Sequence, residues 1–273
     1  MKKRICIIGN GYVGKSMVKL FEERYIVHVK EINDDYRFVN ECDLAVVCVP
    51  TSMREDGSCN TSIVEEVIKH SNAPLYLIKS TIPPGTTELI SKLYNKSIVF
   101  SPEYIGEGSY PVPFWNGIPH PTESKLHEFQ IFGGYKEDVK QVMDFFIPII
   151  GPYCKYIQTN STTAELVKYM ENSFLATKVV FCHEFARLAE LYGCDYNELR
   201  ELFLLDGRCE RGSTAIFNGK LGYDGKCLPK DIEAIYSSAK ENGFESKILK
   251  QVMETNKEMR EENETKKNNT SNI

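Results

Sequence analysis

The residues best suited to chemistry lie in the decapeptide GYDGKCLPKD at positions 222–231. It places the thiol of Cys227 just after a glycine-rich turn, and glycine lets a backbone come close to a ligand. A thiol attacks as its thiolate, which the ammonium groups of Lys226 and Lys230 would favour if they face it. The alternative interpretation is a turn before a helix, with Asp231 in the acidic first turn and a cysteine that only packs.

A long helical pattern runs from Thr162 to about Tyr192 and carries a second pair of polar candidates. Lys168 and Asn172 are four positions apart, so in a helix they are neighbours on one stripe. That stripe could equally be the polar side of a half-exposed helix. Apolar residues on nearly every face predict burial against another helix or another subunit. Thr162 or Thr163, together with Glu165, is expected to cap the helix.

The N-terminal segment has the pattern of a dinucleotide site. The apolar run RICII at 4–8 precedes GNGYVG at 9–14, and a helical pattern follows. In that context Gly9 permits the turn, Gly11 lets a pyrophosphate approach and Gly14 lets the helix pack on the sheet. Asn10, Tyr12 and Val13 complete the turn, where the helix N-terminus favours an anion.

A second apolar run, 26–30, ends at Glu31, twenty-two positions after Gly9. A carboxylate there can accept hydrogen bonds from both ribose hydroxyls of NAD and would repel the additional phosphate of NADP. The alternative interpretation is a solvated glutamate at a strand end.

Three further apolar runs end in polar residues. Residues 43–49 lead to Thr51, 75–79 to Thr81, and 97–100 to Glu103. Helical stretches near 61–71 and 85–94 separate these runs, which predicts parallel strands whose ligands bind beyond the carboxyl edge. We therefore expect these three residues to line one crevice with the glycine turn.

The pattern as a whole predicts an α/β fold, a Rossmann-type doubly wound parallel sheet followed by a small all-α domain with one long helix. Two more strands are expected at 129–132 and 154–157, around a helix near 136–147. Helices near 195–205, 231–242 and 246–262 would complete the second domain. The predicted organisation is a cofactor domain at 1–158, a helical domain at 159–262 and a polar tail at 263–273.

Composition limits the partners and the location. The chain has 33 basic and 38 acidic residues and a net charge of −5, which argues against a general nucleic-acid or anionic-membrane surface. No apolar run approaches the roughly 18 residues of a membrane span, and no signal-peptide pattern is present, so we expect a cytoplasmic protein. Nine cysteines and five histidines show no metal-ligand spacing, so no metal is expected.

Six segments, taken together and in order, resemble the UDP-glucose/GDP-mannose dehydrogenase family, whose members use NAD to oxidise a sugar alcohol to a carboxylic acid. The resemblance covers nearly all of residues 1–260. The segments are GNGYVG at 9–14, VPTSMREDG at 49–57, KSTIPPGTT at 79–87, SPEYIGEG at 101–108, ELVKYMENSFLATK at 165–178 and GYDGKCLPKD at 222–231.

This resemblance implies catalytic roles. Cys227 would be the nucleophile, and Lys168 with Asn172 would stabilise an oxyanion or serve the first proton abstraction. Thr81 and Asp231 would position a water, while Glu103 would act in thioester hydrolysis. Because oxidation to an acid takes two hydride transfers, a thiohemiacetal on the cysteine would retain the aldehyde formed halfway.

The resemblance also implies binding residues and partners. NAD would contact the glycine turn, Glu31, Thr51, Thr81 and Glu107. UDP-glucose, oxidised to UDP-glucuronate for polysaccharide biosynthesis, is the expected substrate, and the 162–192 helix would form a homodimer. The implied substrate contacts are Glu103, Tyr104, Gly106, Lys168, Asn172, Arg211, Tyr223 and Gly225, with Arg211 reaching a neighbouring subunit's substrate.

Two features depart from the family pattern. Only eleven residues separate Glu31 from Asp43, where the family has several tens, and the family's third, nucleotide-sugar-binding domain has no counterpart in this sequence. Three interpretations follow: a minimal enzyme, one piece of a split or truncated enzyme, or a protein that binds NAD and dimerises without oxidising a sugar.

Overall fold

The computed structural model describes residues 2–31, 34–105 and 124–270, and side chains as far as 265. The chain forms two compact units. The sheet unit consists of Met1–Arg54 and Cys59–Lys168, and the helical unit consists of Glu55–Ser58 and Tyr169–Ile273. The change from one unit to the other falls at 168/169, ten residues after the predicted end of the cofactor domain at 158.

The sheet unit contains a seven-stranded sheet in the order β2-β1-β3-β4-β5-β6-β7. Strands β1 to β5 are parallel, as predicted, whereas β6 runs antiparallel to β5 and parallel to β7. The strands are β1 Arg4–Ile8, β2 Ile26–Lys30, β3 Leu44–Val47, β4 Tyr76–Ile78, β5 Ile98–Phe100, β6 Phe129–Gly133 and β7 Lys155–Thr159.

Helices cover both faces of this sheet, which explains why its central strands are continuous apolar runs. Along β1, Cys6 and Ile8 belong to one hydrophobic core, and Ile5 and Ile7 belong to the other. The first core includes residues of α2, α3 and α4, and the second includes residues of α1 and α5. These helices are α1 Tyr12–Phe21, α2 Arg37–Asn40, α3 Ser62–His70, α4 Thr86–Tyr94 and α5 Lys136–Ile150.

The helical unit has its own core, in which Ala176, Ile232 and Met259 are fully or almost fully buried. Its helices are the long α6 Ser161–Leu191, which begins in the sheet unit, α7 Tyr196–Phe203, α8 Leu228–Glu241 and α9 Lys247–Thr270. No helix in the described part of the chain is long and apolar enough to cross a membrane.

Two expectations about helix ends are wrong. The α6 helix is capped by Asn160, whose Oδ1 accepts a hydrogen bond from the N–H of Thr163 at 2.7 Å, and Glu165 bonds elsewhere. The predicted polar tail is helical as far as Thr270, because α9 continues through it. Asn263, within that tail, is bonded to the backbone of Leu221, a contact between distant parts of the chain that a local pattern could not indicate.

Candidate functional site

The glycine turn has the shape of an anion-binding loop. Gly9 has φ +91°, and a Cβ on it would lie 2.6 Å from the carbonyl oxygen of Cys48. A Cβ on Gly14 would lie 1.9 Å from the carbonyl oxygen of Gly9, so this start of α1 requires glycine at position 14. A Cβ on Gly11 would meet nothing within 4 Å, and no side chain caps the helix. The backbone N–H groups at this end of α1 are therefore open to a ligand.

Glu31 lies beside this turn. Lys30, the last residue of β2, accepts a hydrogen bond from the N–H of Gly9 at 3.0 Å, so the next residue, Glu31, stands next to the glycines. Its side chain is exposed. Its own N–H donates to Asp34 Oδ2 at 2.8 Å, and the Lys30 ammonium donates to the carbonyl oxygens of Glu31 and Asp34. These hydrogen bonds fix the backbone at Glu31 and Asp34. They do not involve the Glu31 carboxylate, whose direction is set by its position at the end of β2.

The carboxyl ends of β3 and β4 meet through their threonines. Thr51 is buried and its Oγ1 donates to the carbonyl oxygen of Thr81 at 2.8 Å. Ser80 Oγ donates to the carbonyl oxygen of Val49 at 2.7 Å, which joins the same two segments. The two threonines predicted to line one crevice are therefore in contact.

A buried ammonium supports Glu103. Lys79 Nζ donates to Ser101 Oγ at 3.1 Å and to the carbonyl oxygen of Pro102 at 2.9 Å. Burial lowers the pKa of Lys79, and the negative charge of Glu103 acts in the opposite direction. Glu103 is itself buried: Oε1 accepts from the N–H of Ile105, and Oε2 has no hydrogen-bond partner in the described residues.

Tyr104 and Lys168 are close together. The ammonium of Lys168 lies 5.4 Å from the centre of the Tyr104 ring, within the range of a cation–π contact. The ring packs edge-on against Phe129, with centroids 5.0 Å apart. Two residues expected to contact substrate are thus neighbours within the sheet unit.

Glu165 holds the loop that follows Thr81. It is fully buried, and its Oε2 accepts the N–H of Gly85 at 2.5 Å while Oε1 accepts the N–H of Thr87 at 2.8 Å. The helix α4 has no cap of its own, so this carboxylate from α6 supplies it. Burial raises the pKa of Glu165 to about 7, against the opposing effect of the Thr87 and Gly85 donors.

In the helical unit, Asn172 and Asp231 form a buried pair. The Asn172 amide Nδ2 donates to Asp231 Oδ2 at 2.6 Å, and Lys230 Nζ donates to Asp231 Oδ1 at 2.5 Å. The N–H of Asp231 donates to the carbonyl oxygen of Cys227 at 2.9 Å. Cys227 is exposed and occupies the N-cap position of α8, and Pro229 stands in the first turn. Cys227 and Asp231, both predicted to be catalytic, therefore lie in one hydrogen-bonded turn at the start of α8.

Tyr223 and Gly225 lie in the loop that leads to Cys227. Tyr223 is buried, and burial raises the pKa of its hydroxyl to about 12, with the charge of Glu233 acting in the same direction. Gly225 has φ +90°, a conformation that favours glycine. Within this chain Arg211, a predicted substrate contact, makes a two-pronged ion pair with Glu201 at 2.7 and 2.6 Å. Gly106 and Glu107 lie outside the described residues.

Comparison with known proteins decides the family. Residues 19–116 match the NAD binding domain of the UDP-glucose/GDP-mannose dehydrogenase family, and residues 162–258 match its central domain. The chain belongs to the UDP-glucose/GDP-mannose dehydrogenase family. The match to the central domain contains Lys168, Asn172, Cys227 and Asp231.

Several relatives in this family are named for nucleotide sugars. The chain is 31% identical over 267 residues to UDP-glucose 6-dehydrogenase of Rickettsia prowazekii, covering 90% of this chain and 58% of the relative. The chain thus spans little more than half of that relative's length.

Solved structures show the same fold. A UDP-glucose dehydrogenase from Pyrobaculum islandicum aligns with a TM-score of 0.79 at 23% identity, covering 94% of this chain and 68% of that one. A UDP-D-ManNAc dehydrogenase from Pyrococcus horikoshii aligns with a TM-score of 0.72 at 24% identity, with the same shares of the two chains.

The sheet unit of this UDP-glucose/GDP-mannose dehydrogenase family member fits NAD. The uncapped start of α1 and the open space at Gly11 suit a pyrophosphate, and the exposed carboxylate of Glu31 suits a ribose. Thr51 and Thr81 stand at the adjacent strand ends. When bound, the cofactor would supply the hydride acceptor, which no side chain can replace.

Sequence reasoning missed the residues that support the site in this family member. Lys79 and Glu165 had no local signal of their roles, because each bonds to segments distant in sequence. On α9, the spacing of Asn256, Arg260 and Asn263 at i, i+4 and i+7 was a usable signal. It places three polar side chains on one helical face.

Proposed function

We propose that this chain carries the cofactor-binding and covalent-catalysis residues of an NAD-dependent nucleotide-sugar dehydrogenase, with UDP-glucose oxidised to UDP-glucuronate. The observation that carries the proposal is the buried Asn172–Asp231–Lys230 arrangement in the turn that follows Cys227. A carboxylate removed from water requires hydrogen-bond partners, and each oxygen of Asp231 has one. These hydrogen bonds therefore hold the turn in one conformation beside the exposed thiol of Cys227.

The proposed reaction has four steps. The primary alcohol of the sugar loses a hydride and a proton to give an aldehyde. The Cys227 thiolate adds to the carbonyl carbon, forming a C–S bond and a thiohemiacetal that keeps the aldehyde on the protein. Loss of a second hydride gives a thioester, and water then breaks the C–S bond to release the acid and the thiol. NAD, when bound, would supply the acceptor for each hydride.

The residues of the helical unit suit the covalent steps. Cys227 stands at the N-terminus of a 14-residue helix, where the helix dipole favours a thiolate over a thiol. In the proposal the Asn172 amide, with the Lys168 ammonium one turn earlier on α6, stabilises each oxyanion. Donors fixed in this way commonly contribute about 3–4 kcal/mol each.

The residues of the sheet unit suit hydrolysis and binding. Glu103 is buried and its Oε2 is not used by any described hydrogen-bond donor, which supports its proposed role of accepting a proton from the attacking water. Thr81 and Asp231 are proposed to position that water. Tyr104, Tyr223 and Gly225 are proposed substrate contacts, together with Gly106 and with Arg211 of a neighbouring subunit, and Glu107 is a proposed cofactor contact.

The test measures NADH formation with UDP-glucose, GDP-mannose and UDP-N-acetylhexosamines, followed by product stoichiometry. The proposal predicts two NADH for each sugar oxidised. Cys227→Ala should abolish acid formation, whereas Cys194→Ala, which removes another exposed thiol of the helical unit, should leave it unchanged. Oxidation of any of these sugars at an undiminished rate by Cys227→Ala would remove the thiol from the mechanism.

A second candidate function is binding of NAD and dimerisation without oxidation of a sugar by this chain alone. The exposed apolar residues of α6 support the dimerisation, and the uncapped start of α1 supports the binding of NAD. Binding of NADH, measured by its fluorescence, with no turnover of any of these sugar nucleotides would support this candidate. Turnover of one of them by the purified chain would exclude it.

Dimerisation through α6 is part of both candidates. An exposed apolar stripe runs along this helix at spacings of three, four and seven residues, so its members share one face. Contiguous apolar surface of this kind marks interaction sites. The stripe consists of Met170, Phe174, Phe181, Phe185 and Leu188, and it is continued by Tyr192, the first residue after the helix. We propose that it forms a two-fold homodimer interface, which suits a helix that presents one continuous apolar face.

A further inference from the structure

The loop that leads to Cys227 is held by three side chains of α9. Asn263 Oδ1 accepts the N–H of Leu221 at 3.0 Å, and its Nδ2 donates to the carbonyl oxygen of the same residue at 2.7 Å. Asn256 Oδ1 accepts the N–H of Tyr223 at 2.7 Å. Arg260 Nη2 donates to Asp224 Oδ2 at 2.5 Å. Three residues on one face of α9 thus bind three of the four residues from 221 to 224.

The remaining residue of that stretch, Gly222, is held from α6. Its N–H donates to Nδ1 of the buried His183 at 2.8 Å, and Nε2 of this histidine lies 3.3 Å from the carbonyl oxygen of Ala215. Burial lowers the pKa of His183, which agrees with a neutral ring that accepts at Nδ1. The three consecutive backbone N–H groups of residues 221, 222 and 223 therefore each donate a hydrogen bond to a side chain of α6 or α9.

Gly222 also shows how closely the loop packs on α9. Its φ is +79°, and a Cβ there would lie 2.6 Å from Asn256 Oδ1 and 3.4 Å from Met259 Cβ. Only glycine permits this contact. The segment has no strand or helix partner, so side chains replace the backbone ladder that would otherwise fix it.

We propose that Asn256 and Asn263, assisted by Arg260, are positioning residues for Cys227; this inference rests on the proposed function of that thiol. The cysteine follows Asp224 by three residues and occupies the N-cap position of α8. Ordering a backbone residue costs conformational entropy, so a loop released from α9 would sample many positions. In this proposal the α9 side chains confine the thiol to the start of α8, and they act through their hydrogen bonds to the loop at residues 221–224.

The two asparagines give an internal control, because they use different atoms. Asn256 contacts the loop only as an acceptor, so Asn256→Asp keeps its hydrogen bond. Asn263 both accepts and donates, so Asn263→Asp loses the donor and sets a carboxylate against the carbonyl oxygen of Leu221. If these asparagines position Cys227, Asn256→Asp should preserve the reactivity of the thiol and Asn263→Asp should not.

The first measurement is the rate at which iodoacetamide alkylates Cys227, read by peptide mass spectrometry on the full chain. Asn256→Ala and Asn263→Ala should slow it at least fivefold, because a thiol that leaves the start of α8 loses the stabilisation of its thiolate. Asn256→Asp should return the rate to within twofold of wild type. Glu258→Ala, at an exposed position on the same helix, is the matched control and should not change the rate.

The second measurement separates this inference from the proposed function. With an oxidisable sugar, the alanine variants should lower kcat at least tenfold and leave KM for NAD within twofold. Alkylation is read without turnover, so inactivity of the wild-type chain would contradict the proposed function only. Unchanged or faster alkylation in both alanine variants would overturn the positioning role. If either alanine variant fails to fold, equal rates in the two aspartate variants would overturn it.

Discussion

Replacing Glu165 with Gln should remove a pH-dependent part of the free energy of unfolding. The carboxyl group is fully buried and accepts the N–H groups of Gly85 and Thr87 at the start of α4. Its pKa is raised from 4.5 to about 7, chiefly by burial. The folded protein therefore holds this proton at pH values where the unfolded chain has released it.

The sign and size follow from that difference. A raised pKa in the folded state gives stability that is fully present below about pH 4.5 and is lost as the pH rises through about 7. The shift of about 2.5 units corresponds to about 3.4 kcal/mol at about 1.36 kcal/mol per unit, of which about 2.5 kcal/mol is lost between pH 5 and 8. A glutamine has no titration in this range. It also accepts with one oxygen only, so the variant should be about 1–3 kcal/mol less stable at low pH.

The assay is urea unfolding followed by circular dichroism from pH 5 to 8. The free energy of wild type should fall by about 2.5 kcal/mol relative to Glu165→Gln across this range. The control, Glu137→Gln, changes an exposed carboxylate in the first turn of α5 and should run parallel to wild type. Parallel curves for wild type and Glu165→Gln would refute the assignment of a buried, protonated carboxyl at pH 5.

Three other changes test separate parts of the structure. Glu31→Arg should weaken NAD binding and improve relative NADP binding, since it replaces the charge beside the ribose position, and equal affinity ratios in titrations would contradict this. Gly14→Ala should lower the melting temperature strongly, because the new Cβ would lie 1.9 Å from the carbonyl oxygen of Gly9; an unchanged melting curve would rule out the close approach. Phe181→Asp should shift a dimer towards monomer in sedimentation at micromolar concentration, and a wild-type monomer there would count against the α6 interface.

The sequence was sufficient for elements whose signal is local. The apolar run before Gly9 and the polar ends of successive strands predicted the sheet and its parallel part, because strand, turn and helix each leave a periodic trace. The contact between Thr51 and Thr81 followed from that topology. The reversal of β6 against β5 had no such trace, since an apolar run does not reveal its direction.

Contacts between distant segments were beyond local pattern. Glu165 was expected to cap its own helix, and it caps α4 instead, seventy-eight residues from Thr87. Polar composition at 263–273 favoured a tail, yet Asn263 bonds a loop forty-two residues away. A polar residue near a helix end carries the same signal whether it meets water or a distant backbone, so only the fold distinguishes the two.

In each unit, side chains that are distant in sequence accept hydrogen bonds from the backbone N–H groups of a loop beside a proposed catalytic residue. The segment after Thr81 has its N–H groups bonded by Glu165, and the segment before Cys227 has its N–H groups bonded by side chains of α6 and α9. The first segment runs into the start of α4, the second lies outside any strand or helix, and each is anchored within its own unit. A substitution that loosens one loop should therefore leave the other ordered. Consequently, Asn263→Ala and Glu165→Gln should each alter hydrogen exchange in one of these loops and leave exchange in the other unchanged, and simultaneous loss of protection in both would show that the anchors are not independent.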